Sequence, residues 1–238
     1  MKLKSLPLLL ALAAVAAAVA GAAPAAAQVG HPPADSPYND IPFKQEITLY
    51  GGSYQGAIGK AGVGPTGGAV IGARYSIRLG GPVEATAHLA RVGTSRMVKD
   101  PAKIDAERNL GEQSFGLYMA DVGFALNLTG QKSYHRFVPV VGAGLGVVSG
   151  SGSPDVGGFK VGTPFALNFR AALRFIPEGN ISARLELSDN MFQLSYPASY
   201  FRSPPIGEGT PILDRTAGDN QWTHHRMLTL GISYMFSR

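Results

Sequence analysis

The sequence predicts an all-β protein, an eight-stranded antiparallel up-and-down transmembrane β-barrel that follows a cleaved signal peptide. Three observations predict it. The N-terminus has the layout of an export signal. Eight later stretches place large apolar residues at every second position. The connectors between them alternate long and short. A period of two gives a strand one greasy face and one small or polar face. Transmembrane barrels have an even strand number, short turns at one end and longer loops at the other.

Lys2 and Lys4 form a positive n-region, and an apolar run of Leu and Ala follows from Leu6 to Ala23. Ala25, Ala26 and Ala27 supply the small residues of a cleavage site, so residues 1–27 read as a signal peptide and Gln28 as the mature start. Residues 28–44, rich in Pro, Asp, Ser and Asn, read as a disordered periplasmic lead-in. Residues 45–238 form the barrel, within the ~200–250 residues that a single β domain spans. The chain contains no cysteine, which excludes a disulfide framework, a thiolate metal site and a cysteine nucleophile. No later segment holds the ~20 apolar residues of a membrane helix, so a membrane role rests on strands.

The first strand is Gln45 to Gln55, with Ile47 and Leu49 opposing Glu46, Thr48 and Tyr50. A Gly-rich loop, Gly56 to Thr66, leads to the second, Gly68 to Leu79. There Ile71, Ala73, Tyr75 and Ile77 oppose Gly72, Arg74, Ser76 and Arg78. Gly80-Gly81-Pro82 is a tight turn. The third strand, Val83 to Val92, sets Ala85, Ala87 and Leu89 against Glu84, Thr86 and His88. A charged loop, Gly93 to Glu112, precedes the fourth, Gln113 to Leu128, where Val122, Phe124 and Leu126 oppose Asp121, Gly123 and Ala125. A polar turn, Thr129 to His135, leads to the fifth, Arg136 to Ser149, with Gly142, Gly144 and Gly146 on one face.

After a loop from Gly150 to Gly162, the sixth strand runs from Thr163 to Ile176. Phe165, Phe169, Leu173 and Phe175 oppose Asn168, Arg170 and Arg174. Pro177 to Asn180 turns the chain into the seventh, Ile181 to Leu194, where Leu185 and Leu187 oppose Arg184 and Glu186. A long loop, Ser195 to Trp222, separates it from the eighth, Thr223 to Phe236. Strands of ~9–11 residues cross a bilayer when tilted, and all eight reach that length.

A soluble barrel turns its apolar face inward; a membrane barrel reverses the faces. Two features favour the reversal. The chain carries an export signal, and its charges lie mid-strand on the minority face. These are Glu46, Arg74, Arg78, Glu84, Asp121, Arg170, Arg174, Arg184 and Glu186. Five cations and four anions in a lumen too narrow for a channel are expected to pair, because a buried charge must be paired or hydrogen-bonded. The alternative is a soluble β-protein with these charges in water. That arrangement exposes a continuous apolar patch that includes Phe165, Phe169 and Phe175. Tyr118, Phe137, Phe175, Tyr196, Trp222 and Tyr234 fall near strand ends, where interface belts of aromatic residues sit.

The last strand alternates Leu228, Leu230, Ile232, Tyr234 and Phe236 against Thr229, Gly231, Ser233 and Met235. Such a strand, closing on Tyr234 and Phe236, resembles the closing strand of bacterial outer-membrane barrels, with Ser237 and Arg238 following where that family ends on an aromatic residue. The whole pattern from Gln45 to Phe236 resembles the small outer-membrane barrels of the OmpA transmembrane-domain and OmpX type. The resemblance implies a monomer in the bacterial outer membrane. Its partners would be outer-membrane lipid and lipopolysaccharide, and the barrel-assembly machinery would read Tyr234 and Phe236. It implies loops for surface interaction, and no nucleic acid partner.

No constellation points to chemistry, so no catalytic, cofactor or metal residues are assigned. The candidates for an acyl hydrolase are Ser188, Asp189, Asn190, His224 and His225, but no Ser has a nucleophile-elbow context and adjacent histidines on a strand face opposite ways. Gly142 to Gly146 lacks the helix and acidic partner of a dinucleotide loop. Asp155 alone falls short of a Ca²⁺ ligand set. A narrow solute pore on the same barrel is the remaining alternative.

Overall fold

A computed structural model describes residues 36–205 and 209–237. The expected signal peptide and the first part of the expected lead-in lie outside the described residues. The barrel unit begins at Tyr38. Ten strands follow: β1 (Tyr38–Asp40), β2 (Gln45–Gln55), β3 (Gly67–Gly80), β4 (Val83–Lys99), β5 (Asn109–Asn127), β6 (Lys132–Tyr134), β7 (Phe137–Gly150), β8 (Phe165–Phe175), β9 (Ile181–Ser195) and β10 (Asn220–Phe236). Eight of them close into one antiparallel ring in the order β2, β3, β4, β5, β7, β8, β9, β10 and back to β2. Each of the eight predicted strands corresponds to one of these.

Alternation holds around the ring. Leu49, Ile71, Leu89, Phe124, Leu145 and Leu230 point outward and are exposed. On the opposite face of the ring strands Thr48, Arg74, His88, Asn168, Ser182 and Ser233 are buried inside. One small inward residue makes room for a large one at the β2–β3 seam. Tyr50 lies opposite Gly72 on β3 and Gly231 on β10. A Cβ at Gly72 would strike the Tyr50 ring, which is the way an aromatic residue covers a strand glycine. The Tyr50 hydroxyl donates to the Leu89 carbonyl at 3.2 Å.

Three connectors at one end are short. β3 and β4 are joined by Gly81 and Pro82, and Gly81 takes the left-handed φ of +55° that favours glycine. At the other end lie the loops 56–66, 100–108 and 151–164, and the described parts of a fourth, 196–205 and 209–219.

The structure differs from the sequence reading in two places. The expected loop Gly93 to Glu112 is mostly strand: β4 and β5 stay paired from Val92–Leu117 up to Lys99–Asn109, above the height at which β7 leaves β5 at Gly150. The lead-in is not all irregular. Tyr38–Asp40 pairs with Lys132–Tyr134 beneath the barrel, and Ile41 is buried in its mouth. There Ile41 joins Val138, Val140, Ile176 and Met235 in an apolar floor.

Candidate functional site

The interior has two tiers above that floor. The lower tier holds the charges. Arg174, buried on β8, reaches two strands: Nη1 lies 2.7 Å from Glu46 Oε2, and Nη2 lies 3.2 Å from Glu84 Oε1. Thr48 donates to Glu46 Oε1 at 3.1 Å, and Asn127 donates to Glu84 Oε1 at 2.7 Å. Above them Glu186 gathers three guanidinium groups. Arg74 Nη2 bonds Glu186 Oε2, Arg184 Nε lies 3.1 Å from the same oxygen, and Arg170 Nε lies 3.8 Å from Oε1. Arg170 Nη2 also meets Asp121 Oδ1 at 2.6 Å. His88 Nε2 accepts from Arg74 Nε at 3.0 Å and from Arg170 Nη1 at 2.6 Å. It accepts because a guanidinium carries only donors.

Eight of the nine expected lumen charges therefore meet an opposite charge inside the ring. Arg78 is the ninth. It is half-buried at the mouth, where Nη1 donates to the Ile41 carbonyl at 2.9 Å, and it makes no ion pair within 4.0 Å among the described residues. Its strand bulges between Arg78 and Gly80, at the end of the regular ladder. The glycines of β7 line the wall beside this tier: Gly142 lies opposite Arg170, and Gly146 lies opposite Asp121. A Cβ at Gly144 would come within 3.2 Å of Asp121 Oδ1, so these glycines leave the charges their space.

The upper tier is apolar, which the sequence reading did not foresee. Val70, Val92, Leu117, Met119, Val148 and Phe192 point inward from the strands. Loop residues fill the remaining mouth from above: Val63, Phe159, Val161, Tyr196, Tyr200 and Leu213. Tyr200, Phe159 and Phe192 rank among the largest wholly buried side chains of the molecule. Tyr196 is thus 5% exposed in this cap, not in an interface belt. Phe137, Phe175, Trp222 and Tyr234 do stand outward near strand ends, whereas Tyr118 stands outward at the middle of β5, because that strand runs on to Asn109. The cap forms because loops at the mouth of an eight-stranded ring can bury aromatic rings only inward.

Polar links fasten the loops to the ring and to one another. Asp155 accepts from Arg96 Nη1 at 2.6 Å and from the backbone N–H groups of Gly157 and Phe159 at 3.0 and 2.8 Å. The Arg96 guanidinium also lies 5.3 Å from the Phe159 ring centre. Lys99 donates to the Ala61 carbonyl at 2.7 Å, and partial burial pulls its pKa down. Asp105 accepts from the Thr210 hydroxyl at 2.9 Å and meets Arg108; these hold its carboxyl below the ordinary value of 3.8, the Thr210 hydroxyl most of all.

The hydrolase candidates do not converge. Asp189 and His224 stand on the outer face and pair through Nδ1 at 2.7 Å. Ser188 and Asn190 are buried in the lumen, so the barrel wall separates Ser188 from His224. His225, fully buried, is sandwiched near the Phe192 ring, with 3.8 Å between ring centres. Its Nδ1 accepts from the Tyr54 hydroxyl at 2.8 Å and the Ala57 N–H at 3.3 Å. The Thr223 hydroxyl donates to the Phe192 carbonyl at 3.0 Å, so its oxygen receives the Nε2–H of His225 at 2.7 Å. Both ring nitrogens are spent on structure. Among the described residues no cluster of His, Asp and Glu could hold a metal ion. Tyr234 and Phe236 lie together on the outer face of β10, ring centres 6.2 Å apart.

A closed antiparallel ring, apolar on its outside and charged within, defines the class: a transmembrane β-barrel of eight strands. Comparison with solved structures returns proteins of the same kind of architecture. The Neisserial surface protein NspA is 13% identical, with a TM-score of 0.48 over 83% of this chain and 99% of its own. The outer-membrane protein OprG of Pseudomonas aeruginosa is 10% identical, with a TM-score of 0.48 over 82% and 98%. The attachment invasion locus protein Ail of Yersinia pestis is 13% identical, with a TM-score of 0.36 over 82% and 100%. No protein-family model and no curated protein matches the sequence.

Proposed function

We propose that this chain is a non-enzymatic, monomeric protein of the bacterial outer membrane. On this reading the lumen is a sealed strut, and the work is done by the loops that the strut holds at the cell surface. The observation that carries it is the reversed polarity of the wall: exposed Leu, Ile, Val and Phe on all eight ring strands, with buried Arg and carboxylate groups behind them. Exposed apolar area on that scale is stable in lipid and not in water. Lipid and lipopolysaccharide then contact the outer face. The barrel-assembly machinery reads the β10 end at Tyr234 and Phe236.

Two features support a sealed lumen. Ion pairs span the lower tier from β8 to β2 and β4, and the enclosed cavities beside them measure about 10 Å³ each. That is room for about one water. The loop cap closes the other half. A hydrolase is disfavoured because the outward His224–Asp189 pair has Ser188 on the wrong side of the wall.

The test has two parts. Unboiled protein from outer-membrane fractions should migrate faster on a gel than boiled protein, and planar bilayers containing it should stay silent. Export to a soluble fraction without a heat-dependent shift would overturn the membrane reading. Discrete conductance steps would overturn the sealed lumen, and fatty acid released from lipopolysaccharide or phospholipid would overturn the non-enzymatic role.

A further inference from the structure

The lumen charges do not balance. Five arginines face four carboxylates, and an arginine does not shed its proton to relieve the excess. The surplus can be located. At the mouth, one small cavity is lined by Glu46, Glu84, Arg174 and the half-buried Arg78, with the water-exposed Lys44 at its edge, so no cation there lacks a carboxylate or water. Higher up, the carboxylates within 4.0 Å of Arg74, Arg170 and Arg184 among the described residues are Asp121 and Glu186 alone. His88 cannot supply the missing anion; it serves there as a neutral acceptor for Arg74 and Arg170. The upper group therefore holds one cation too many, inside a ring whose outer face is apolar. An uncompensated charge in such a place is strongly disfavoured.

Two further observations fall on the same spot. Arg74 Nη1 and Arg184 Nη1 have no hydrogen-bond partner among the described residues, although Arg74 and Arg184 are 3% and 4% exposed. The Thr86 hydroxyl is also unpartnered. An enclosed cavity of about 10 Å³ is lined by these three residues together with His88, Arg170 and the backbone of Gly142. Donors, surplus charge and space coincide.

We propose that this cavity binds one monatomic monovalent anion of the halide class, held by Arg74, Arg184 and Thr86. The anion completes the neutralisation that the carboxylates leave unfinished. The cavity is too small for phosphate, sulfate or a carboxylic acid. The site rests on the barrel reading above and adds a ligand to the strut. Both ends of the lumen are closed, so the anion enters as the ring forms and exchanges only when it opens.

The test is to refold the full chain from denaturant into detergent micelles in sodium chloride, sodium bromide or sodium gluconate at equal ionic strength. Folding to the heat-modifiable form in any of the three establishes the barrel separately from the site. The thermal midpoint should be higher in chloride and bromide than in gluconate. Arg184→Gln leaves two cations facing two anions and should abolish that difference. Arg78→Gln, at the mouth and away from the cavity, should keep it. Crystals of protein refolded in bromide should show an anomalous peak within hydrogen-bonding distance of Arg74 Nη1 and Arg184 Nη1. Equal midpoints in the three salts, or a bromide map with only a water-like peak there, would overturn the proposal. If Arg184→Gln fails to fold, the bromide map decides alone.

Discussion

Replacing Arg174 with Met tests whether the lower tier is an electrostatic unit. Arg174 is 3% exposed and, among the described residues, is the one cation within 4.0 Å of either Glu46 or Glu84. Methionine keeps most of the length and apolar bulk but leaves two buried carboxylates without their shared partner. Thr48 and Asn127 still donate one hydrogen bond to each, so some of the charge remains solvated by the protein. Removing one member of a buried ion pair costs about 3–5 kcal/mol, or roughly two to three and a half decades in the folding constant at ~1.4 kcal/mol per decade. The assay is reversible urea unfolding in lipid vesicles, followed by the fluorescence of Trp222, the single tryptophan. Adding Glu46→Gln and Glu84→Gln to the Met variant should recover most of the loss, since no buried carboxylate is left without its partner. A loss below about 1 kcal/mol, the range of exposed pairs, or no recovery in the triple variant, would refute the reasoning.

Further outcomes follow from the same geometry. Arg170→Ala combined with Arg174→Ala should lower the thermal midpoint by more than either change alone, as differential calorimetry would record. Leu230→Arg puts a charge on the lipid face, where Leu230 is 64% exposed at mid-strand. It should cost about 2–4 kcal/mol in vesicle unfolding. Tyr200→Ala should destabilise the cap by about 3–5 kcal/mol, whereas Tyr200→Phe should be neutral or better, because that hydroxyl has no partner among the described residues. Asp105 titrates lower in the folded loop than the ordinary value of 3.8. Its contribution is therefore present above that value and is lost as pH falls through the lower folded one. Proteolysis near 105 and 210 should rise only in strong acid, and Asp105→Asn should raise it at neutral pH.

The ring was legible because every strand alternates at its middle. Arg170 between Phe169 and Ala171, or Arg184 between Ala183 and Leu185, leaves one assignment of faces once the charges must hide from lipid. The apolar cap was less legible, yet a signal for it exists. Near the loop end the strands turn apolar on both faces: Leu117-Tyr118-Met119 and Val147-Val148 have no polar parity at all. Two apolar faces mean that the interior has changed character at that height. Which loop residues complete the cap depends on contacts across the mouth, as between Tyr200 and Val63, and no local period encodes these. The upper parts of β4 and β5 escaped notice for a related reason. The β5 end from Asn109 to Ser114 is exposed on both faces, and the buried residues of β4 at that height, Thr94 and Arg96, are polar, so no apolar alternation marks either strand there.

The meeting of β2 and β10 has a kinetic meaning. These are the earliest and latest ring strands to be synthesised, and their seam is stitched by side chains as well as backbone: Thr48 to Ser233 at 2.9 Å, and Tyr54 to His225 at 2.8 Å. Glu46 comes from the same early strand and waits for Arg174, 128 positions downstream. A sheet with seven strands in place thus still carries an orphan anion and an unstitched edge. Closure is the moment at which Glu46 meets its cation, which makes the final step of folding all-or-none and leaves little for a half-open ring to gain by lingering.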